Sequence, residues 1–316
     1  MGLAGVPGIL GIKSGSRQPP PYESYDYGLF KGIVDGEGYD DNAYATIQAA
    51  DDDLDSGPYT LLVKSGSYAG WTTSTDNARI RLEPGTTITS AIVLSGDNVT
   101  LECGPGCDIQ AAITLSGTHG SLLCKNGVDT DGIAVTGTEC FVDGGGWGTI
   151  HDGGTTSAGI KIGTSSDDAL VLNMASDNTL AQSGLSAVLD QSDRTVFSGV
   201  KVIDSDDDGI LQDVTASNDG LVIGCILLGA DVNGIELADR GRAIGNYIIN
   251  AGADGIAAPT TGPNSLMVGN VVQDPTTSSV DADGANQVVV GNRVDGAVAD
   301  GSGGTNVVAS NDETAF

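Results

Sequence analysis

Basic side chains, aromatics and cysteines are all scarce in this chain of 316 residues, which has 13 Lys and Arg, 14 aromatic residues and five cysteines. Thirteen cations against 42 acids leave a formal net charge of −29. That balance excludes a general nucleic-acid binder, because phosphate contacts need Lys and Arg to release counterions, and it argues against an anionic membrane surface. No stretch approaches roughly 18 consecutive apolar residues, so no membrane insertion is expected. The segment Met1–Leu10 is apolar but has no basic n-region and is broken by Gly2, Gly5, Pro7 and Gly8, so no signal peptide is expected. Val6 stands where a myristoylation signal wants Ser or Thr. These absences together point to synthesis and assembly in the cytoplasm. The cysteines Cys103, Cys107, Cys124, Cys140 and Cys225 form no CxxC pair and only two histidines accompany them, which excludes a zinc-ribbon pattern. Cys103 and Cys107 flank Gly-Pro-Gly and could be bridged; most of the five read as small buried apolar residues.

Glycine and aspartate are abundant instead. There are 48 Gly, about twice the usual share, and 35 of the acids are Asp against seven Glu. The acids are dispersed along the whole chain, and this pattern with scarce lysine resembles proteins of extreme halophiles, whose surfaces stay soluble when salt screens ordinary charge effects. A hydrophobic content of 39% suffices for a core.

Residues 1–33 read as an N-terminal arm: a glycine-broken apolar start, then Pro19-Pro20-Pro21, which favours an extended polyproline segment, then Tyr22, Tyr25 and Tyr27. From Val34 the pattern changes. Asp35-Gly36 and Asp40-Asp41-Asn42 precede a short helical stretch, Ala43 to Ala50, with Asp41 or Asn42 as its N-cap. A Gly57-Pro58 turn, a strand over Tyr59–Lys64 and Gly66-Ser67-Tyr68 follow. Residues 34–69 resemble the capping module that opens pectate-lyase-like right-handed β-helices.

Beyond Tyr68 the sequence repeats, and 70–316 reads as the β-helix itself. Val222-Ile223-Gly224-Cys225-Ile226, Ala243-Ile244-Gly245-Asn246-Tyr247, Met267-Val268-Gly269-Asn270-Val271 and Val289-Val290-Gly291-Asn292-Arg293 place their glycines 21, 24 and 22 residues apart. A second register interleaves with it through Asp208-Gly209-Ile210, Asn233-Gly234-Ile235, Asp254-Gly255-Ile256 and a weaker Asp283-Gly284-Ala285. Looser copies lie upstream at Ile92-Val93-Leu94, Ile113-Thr114-Leu115, Ile133-Ala134-Val135 and Ile160-Lys161-Ile162. One coil of about 22 residues cannot bury its own apolar face, whereas coils stacked about 4.8 Å apart pair every strand around a narrow core. The fold class is therefore all-β: a right-handed, single-stranded parallel β-helix of about 11 coils, with a short capping helix and an extended arm. Gly before Asn permits φ > 0, and Asn246, Asn270 and Asn292 are expected to stack as an amide ladder, with Cys225 at the same corner one coil earlier.

Chemistry-bearing candidates are few. Asp204-Ser-Asp206-Asp207-Asp208-Gly209 copies the first half of an EF-hand loop, but Thr215 stands where the bidentate Glu belongs, so at most a looser calcium or sodium site at Asp204, Asp206 and Asp208 is expected; no cofactor is required. Asp206, Asp207 and Asp208 are the alternative catalytic set, since clustered aspartates protonate a leaving group and activate water in polygalacturonase-type hydrolases. The Gly-His-Gly and Arg-Ile-Lys segments of those enzymes are missing: His119 follows Thr118, His151 follows Ile150, and no Arg precedes Ile160-Lys161. A lyase needs a cation to take a proton, for which Lys201, Arg240, Arg242 and Arg293 are available. Trp71 and Trp147 are the candidates for stacking against sugar rings, Trp147 in a glycine-rich turn expected to project from the rod.

An apolar arm, a proline linker and a capped β-helix without a signal segment resemble a tailspike or capsid-decoration protein. The resemblance implies a virion structural protein of a virus infecting a haloarchaeon, displayed on the virion surface. Residues 1–30 would join it to other virion proteins, the rod would meet a host cell-surface glycan or glycoprotein, and the chain would form a homo-oligomer, a trimer by analogy or else a pentamer. That reading makes it no enzyme. The alternatives are a polysaccharide-degrading enzyme of the pectate-lyase or glycoside-hydrolase kind, and a host cell-surface adhesin.

Overall fold

In the computed structural model, residues 30–36, 43–55, 57–125, 128–151, 158–177, 186–213, 219–258, 264–301 and 305–313 are described, with the backbone alone for 146–151 and 177. The N-terminal arm thus lies outside the described residues up to Leu29. Strand after strand pairs in parallel with its equivalent one coil on, and the chain winds as a right-handed β-helix, the hand that parallel crossovers take. A first sheet runs from Gly32–Val34 and Thr60–Val63 to Val307–Ala309, a second from Ser67–Tyr68 to Arg293–Val294, and a third, of eleven strands, from Thr72–Thr73 to Val298–Ala299. The third sheet collects the Asp-Gly-Ile register and its upstream copies. Ile92, Ile113 and Ile133 sit in register, and Ile210, Ile235 and Ile256 continue the same inward column. Each such side chain is fully buried, a gain of about 1.5–3 kcal/mol apiece before chain entropy.

Gly32–Val34 pairs with Thr60–Val63, so the solenoid begins two residues before the expected end of the arm. The capping helix is Ile47–Asp53 rather than Ala43–Ala50, because Thr46 is the N-cap and its hydroxyl accepts from the Ala49 N–H at 3.1 Å. Asp41 and Asn42 lie outside the described residues. The helix sets Ile47, Ala50 and Leu54 over the first coil. Its buried Asp51 accepts from the Thr73 hydroxyl at 2.6 Å and from the Tyr59 hydroxyl. Among the described residues no helix is long and apolar enough to cross a membrane.

Two coils run without a corner between the first and second sheets, as Phe141–His151 and Leu170–Asp177. The glycine-rich Asp143–Trp147 stretch therefore does not leave the sheet; it forms an irregularity in register between Asp143 and Gly148. Gly145 has φ +61°, and any Cβ on it would fall 1.8 Å from the Cys124 carbonyl oxygen. Only glycine passes there.

All five cysteines are free and buried. Cys103 lies in register with Cys124, and the bridge to Cys107 that the sequence allows is absent, all five being the small buried residues expected of most of them. The chain from Cys103 to Cys107 turns out of one strand instead of folding the two sulfurs together. Burial pushes the Cys225 thiol up to about 12.

Candidate functional site

Three corners join the sheets, and each carries its own column of polar groups. At the corner between first and second sheets, Gly199, Gly224, Gly245, Gly269 and Gly291 have φ of +60° to +67°. Behind them Asn246 Oδ1 accepts from the Cys225 N–H at 2.9 Å. Asn270 Oδ1 accepts from the Asn246 N–H at 2.9 Å, and Asn292 Oδ1 from the Asn270 N–H at 2.9 Å. Asn311, which the sequence repeat did not mark, extends the column by accepting from the Asn292 N–H at 3.0 Å. These side chains complete the backbone and leave nothing for a ligand.

At the corner between third and first sheets, ten successive coils place a non-glycine residue in the left-handed region. They run from Asn77 through His119, Glu139, Asp168, Arg194, Asp219 and Arg240 to Asn286, all with φ of +54° to +64°. Their side chains project outward and pair along the column. Arg194 grips Asp168 at 2.7 and 2.8 Å, Arg240 grips Asp219 at 2.8 and 3.0 Å, and His119 meets Glu139 at 2.7 Å. Arg240, a candidate proton acceptor for a lyase, is thereby committed to an exposed ion pair.

The third corner, from second to third sheet, brings acids together. Asp208 is only 4% exposed, and its Oδ1 accepts from the Asn233 N–H at 2.9 Å. Asn233 in turn accepts from the Asp254 N–H at 3.2 Å and donates its Nδ2 to Glu236 Oε2 at 3.1 Å. Ser186 Oγ donates to Asp207 at 3.4 Å. Burial, with Glu236 and Asp207 nearby, raises the Asp208 carboxyl to about 7 against the lowering pull of the Asn233 N–H. Burial and then the charge of Asp207 also raise Glu236. Glu236 sits on the outward side of the third sheet and is half-buried, so it faces solvent while the carboxyl of Asp208 backs it. Further along, burial and the charges of Asp283 and Asp254 raise Asp281 to about 6.

This acid corner lies where the rod is thickest in sequence. Left-handed corner residues recur every 20 to 24 residues except from Glu139 to Asp168, Arg194 and Asp219, where the steps are 29, 26 and 25. The core changes character in the same coils. Asp190 and Gln212 occupy inward positions that hold Ile162 before them and Leu237 after them. Asp190 Oδ1 accepts from the Ser192 N–H, the Ser192 hydroxyl and the Thr195 hydroxyl at 3.1, 3.0 and 3.1 Å. Gln212 is fully buried with neither amide atom bonded. It fills the space left by Gly220 and Gly241, where Cβ atoms would lie 1.9 and 2.7 Å from it.

The remaining sequence candidates separate. Asp204 has φ +48° and its Oδ1 lies over Gly229, while Asp208 is turned into the third corner, so the EF-hand-like spacing does not gather a cage. Among the described residues no three acidic, His or Cys side chains converge as ion ligands. Trp71 is 3% exposed and packs in the core with its indole N–H unbonded, so it offers no face to a sugar. It immediately precedes Thr72–Thr73, the first strand of the third sheet. Trp147 is in Phe141–His151, and its side chain lies outside the described residues. Arg242 is exposed on the outside of the first sheet and, with Arg194, Val196, Asp219 and Leu221, lines a shallow hollow.

No protein-family model matches the chain, and no curated protein does. A solved rhamnogalacturonan lyase superposes with a TM-score of 0.54 over 89% of this chain and 87% of its own, at 12% sequence identity. At that identity the likeness shows the fold alone: a parallel β-helix.

Proposed function

We propose that this protein is a polysaccharide-degrading enzyme whose site is the acid corner of the third sheet around Asp207, Asp208 and Glu236. The observation that carries the reading is the raised, outward-facing carboxyl of Glu236, held through Asn233 by a buried Asp208 and set beside the charge of Asp207. A carboxyl raised by burial keeps its proton nearer neutrality and can give it to a departing glycosidic oxygen; a neighbouring carboxylate can draw the proton from water. In this scheme Glu236 is the acid, Asp207 the base and Asp208 the positioning group. The fold likeness to a polysaccharide lyase supports a glycan substrate. The committed arginines and the density of acids favour a neutral glycan over a polyuronate. The scheme calls on no cofactor.

The test is a panel of neutral and acidic polysaccharides assayed for reducing ends and for the ultraviolet absorbance of an unsaturated uronate. New reducing ends without absorbance, lost in Glu236→Gln and in Asp207→Asn, are expected. Unsaturated products would place the chemistry at a cation instead, and inactivity across the panel would remove the enzymatic reading.

The attachment-rod reading has one structural observation behind it, the absence of acids from the first- and second-sheet strands between Leu221 and Val290. It would make the chain a non-enzymatic virion component or adhesin, anchored by residues 1–30 and carrying the glycan contact on its flank. Finding the chain among the proteins of purified particles would establish it.

A further inference from the structure

Three of the five buried thiols gather at one place in the core. Cys103 and Cys124 each end a strand of the first sheet, Thr100–Cys103 and Ser121–Cys124, and stand in register on adjacent coils with both side chains buried. The Cys103 thiol is hydrogen-bonded to that of Cys124, and this bond together with burial pushes it well above the ordinary thiol range. Cys107, at the far end of the Gly104-Pro105-Gly106 turn, is directed elsewhere: its Sγ donates to the Glu83 carbonyl oxygen at 3.3 Å, one coil back, whereas Cys124 lies one coil on. Register thus separates the two possible partners of Cys103. In-register residues of neighbouring coils stand about 4.8 Å apart at Cα, inside the roughly 4.4–6.8 Å that a disulfide spans.

We propose that Cys103 and Cys124 are a site of covalent modification, a disulfide that staples one coil to the next when the chain meets a small disulfide such as oxidised glutathione. The thiolate of one cysteine attacks a glutathione sulfur and releases one glutathione thiol; the thiolate of the other then attacks the protein sulfur of the mixed disulfide and releases the second. Two protein thiols are oxidised, one glutathione disulfide is reduced, and the two thiol protons end on the two glutathiones. Burial sets the timing. Cys103 carries little thiolate and no oxidant reaches it in the closed core, so the bond forms while the coils wind or when this stretch opens, as coils of a linear array do piecewise. Once made, it closes a loop of one whole coil and stabilises by restricting the opened chain. The stapled coils lie several turns from Asp207, Asp208 and Glu236, so the proposal stands apart from glycan cleavage.

Refolding the reduced full chain with and without oxidised glutathione, then cleaving without reductant on the N-terminal side of aspartates, tests this. Cleavage at Asp108 parts Cys124 from both Cys103 and Cys107. A joined pair of peptides, two hydrogens lighter than the free pair, is expected; it should persist in Cys107→Ala and vanish in Cys124→Ala. The native reduced chain held with oxidised glutathione should acquire the same link slowly, a readout that does not depend on refolding. In the linked chain, amide exchange across residues 104–123 should slow on the order of a hundredfold and return to the reduced rate with dithiothreitol. A link that involves Cys107, an unlinked chain under both conditions, or exchange unchanged by the link would overturn the proposal.

Discussion

Asn270→Ala probes the amide column at its most enclosed point. The side chain of Asn270 accepts from the Asn246 N–H at 2.9 Å and from Asn246 Nδ2 at 3.0 Å. It donates to the Ala243 carbonyl and to Asn292 Oδ1, both at 2.9 Å. Truncation removes all four bonds in a fully buried site and strands the Asn246 backbone N–H, which lies outside any strand. One buried orphan costs about 1–3 kcal/mol, and the lost amide bonds add to it, so a loss of about 2–4 kcal/mol is expected. Asn311→Ala gives the internal comparison. Asn311 accepts from Asn292 and donates to the Val289 carbonyl at 3.2 Å but is only half-buried, so water can replace it and about 0.5–1 kcal/mol is expected. Equilibrium denaturation would give the totals, and amide exchange would localise them, because coils in a linear array open piecewise. Exchange at Asn246 should accelerate in Asn270→Ala while that of third-sheet amides in the N-terminal half does not. Equal losses in the two variants, or unchanged exchange at Asn246, would refute the view that the column holds the corner.

Asp208 makes stability pH-dependent. Its folded value of about 7 lies above the ordinary carboxyl range, so its contribution is complete below about pH 4 and fades as pH rises through about 7, by an amount on the order of 4 kcal/mol. Asp208→Asn keeps the oxygen that accepts from Asn233 and should lessen the fall in melting temperature between pH 4 and 8, raising it at the alkaline end, with Glu236 and Asp281 supplying what remains; a parallel shift at all pH values would contradict this. Gln212→Met replaces an unbonded buried amide with an apolar chain of similar length and should stabilise by about 1–2 kcal/mol, measured by denaturant midpoint, whereas a loss would mean the amide is satisfied by a bound water. The five buried thiols should resist a thiol reagent in the native chain and react fully once unfolded; prompt reaction of any of them would contradict the packing described.

The solenoid was legible because its strands need β-branched residues inward and glycine at one corner, and both demands leave letters in the chain. Val222-Ile223-Gly224 and Asp208-Gly209-Ile210 are such letters. The left-handed corner before the first sheet left only a weak one, since Asn or Asp fills six of its ten positions and His119, Glu139, Arg194 and Arg240 the rest. Glu236 escaped notice for a related reason: its place on the sheet follows from Asn233-Gly234-Ile235, but outward positions vary freely, and only the fold shows that Asp207 and Asp208 stand beside it. Asp204 shows the opposite case, because spacing typical of a calcium loop means little where the backbone leaves Asp204 over Gly229 on the second sheet and turns Asp208 into the third corner. Trp71 is ambiguous in sequence, where a lone tryptophan beside a glycine fits a sugar-stacking face or a core position equally, and the structure places it in the core.

The left-handed column has one more implication. Because its ten positions hold amide, acid, base and imidazole side chains alike and its members point away from the core, it amounts to a graduated rail along the molecule. Acid, base or amide can be exchanged at any mark on that rail, altering what the rod displays lengthwise while the winding beneath it stays as it is.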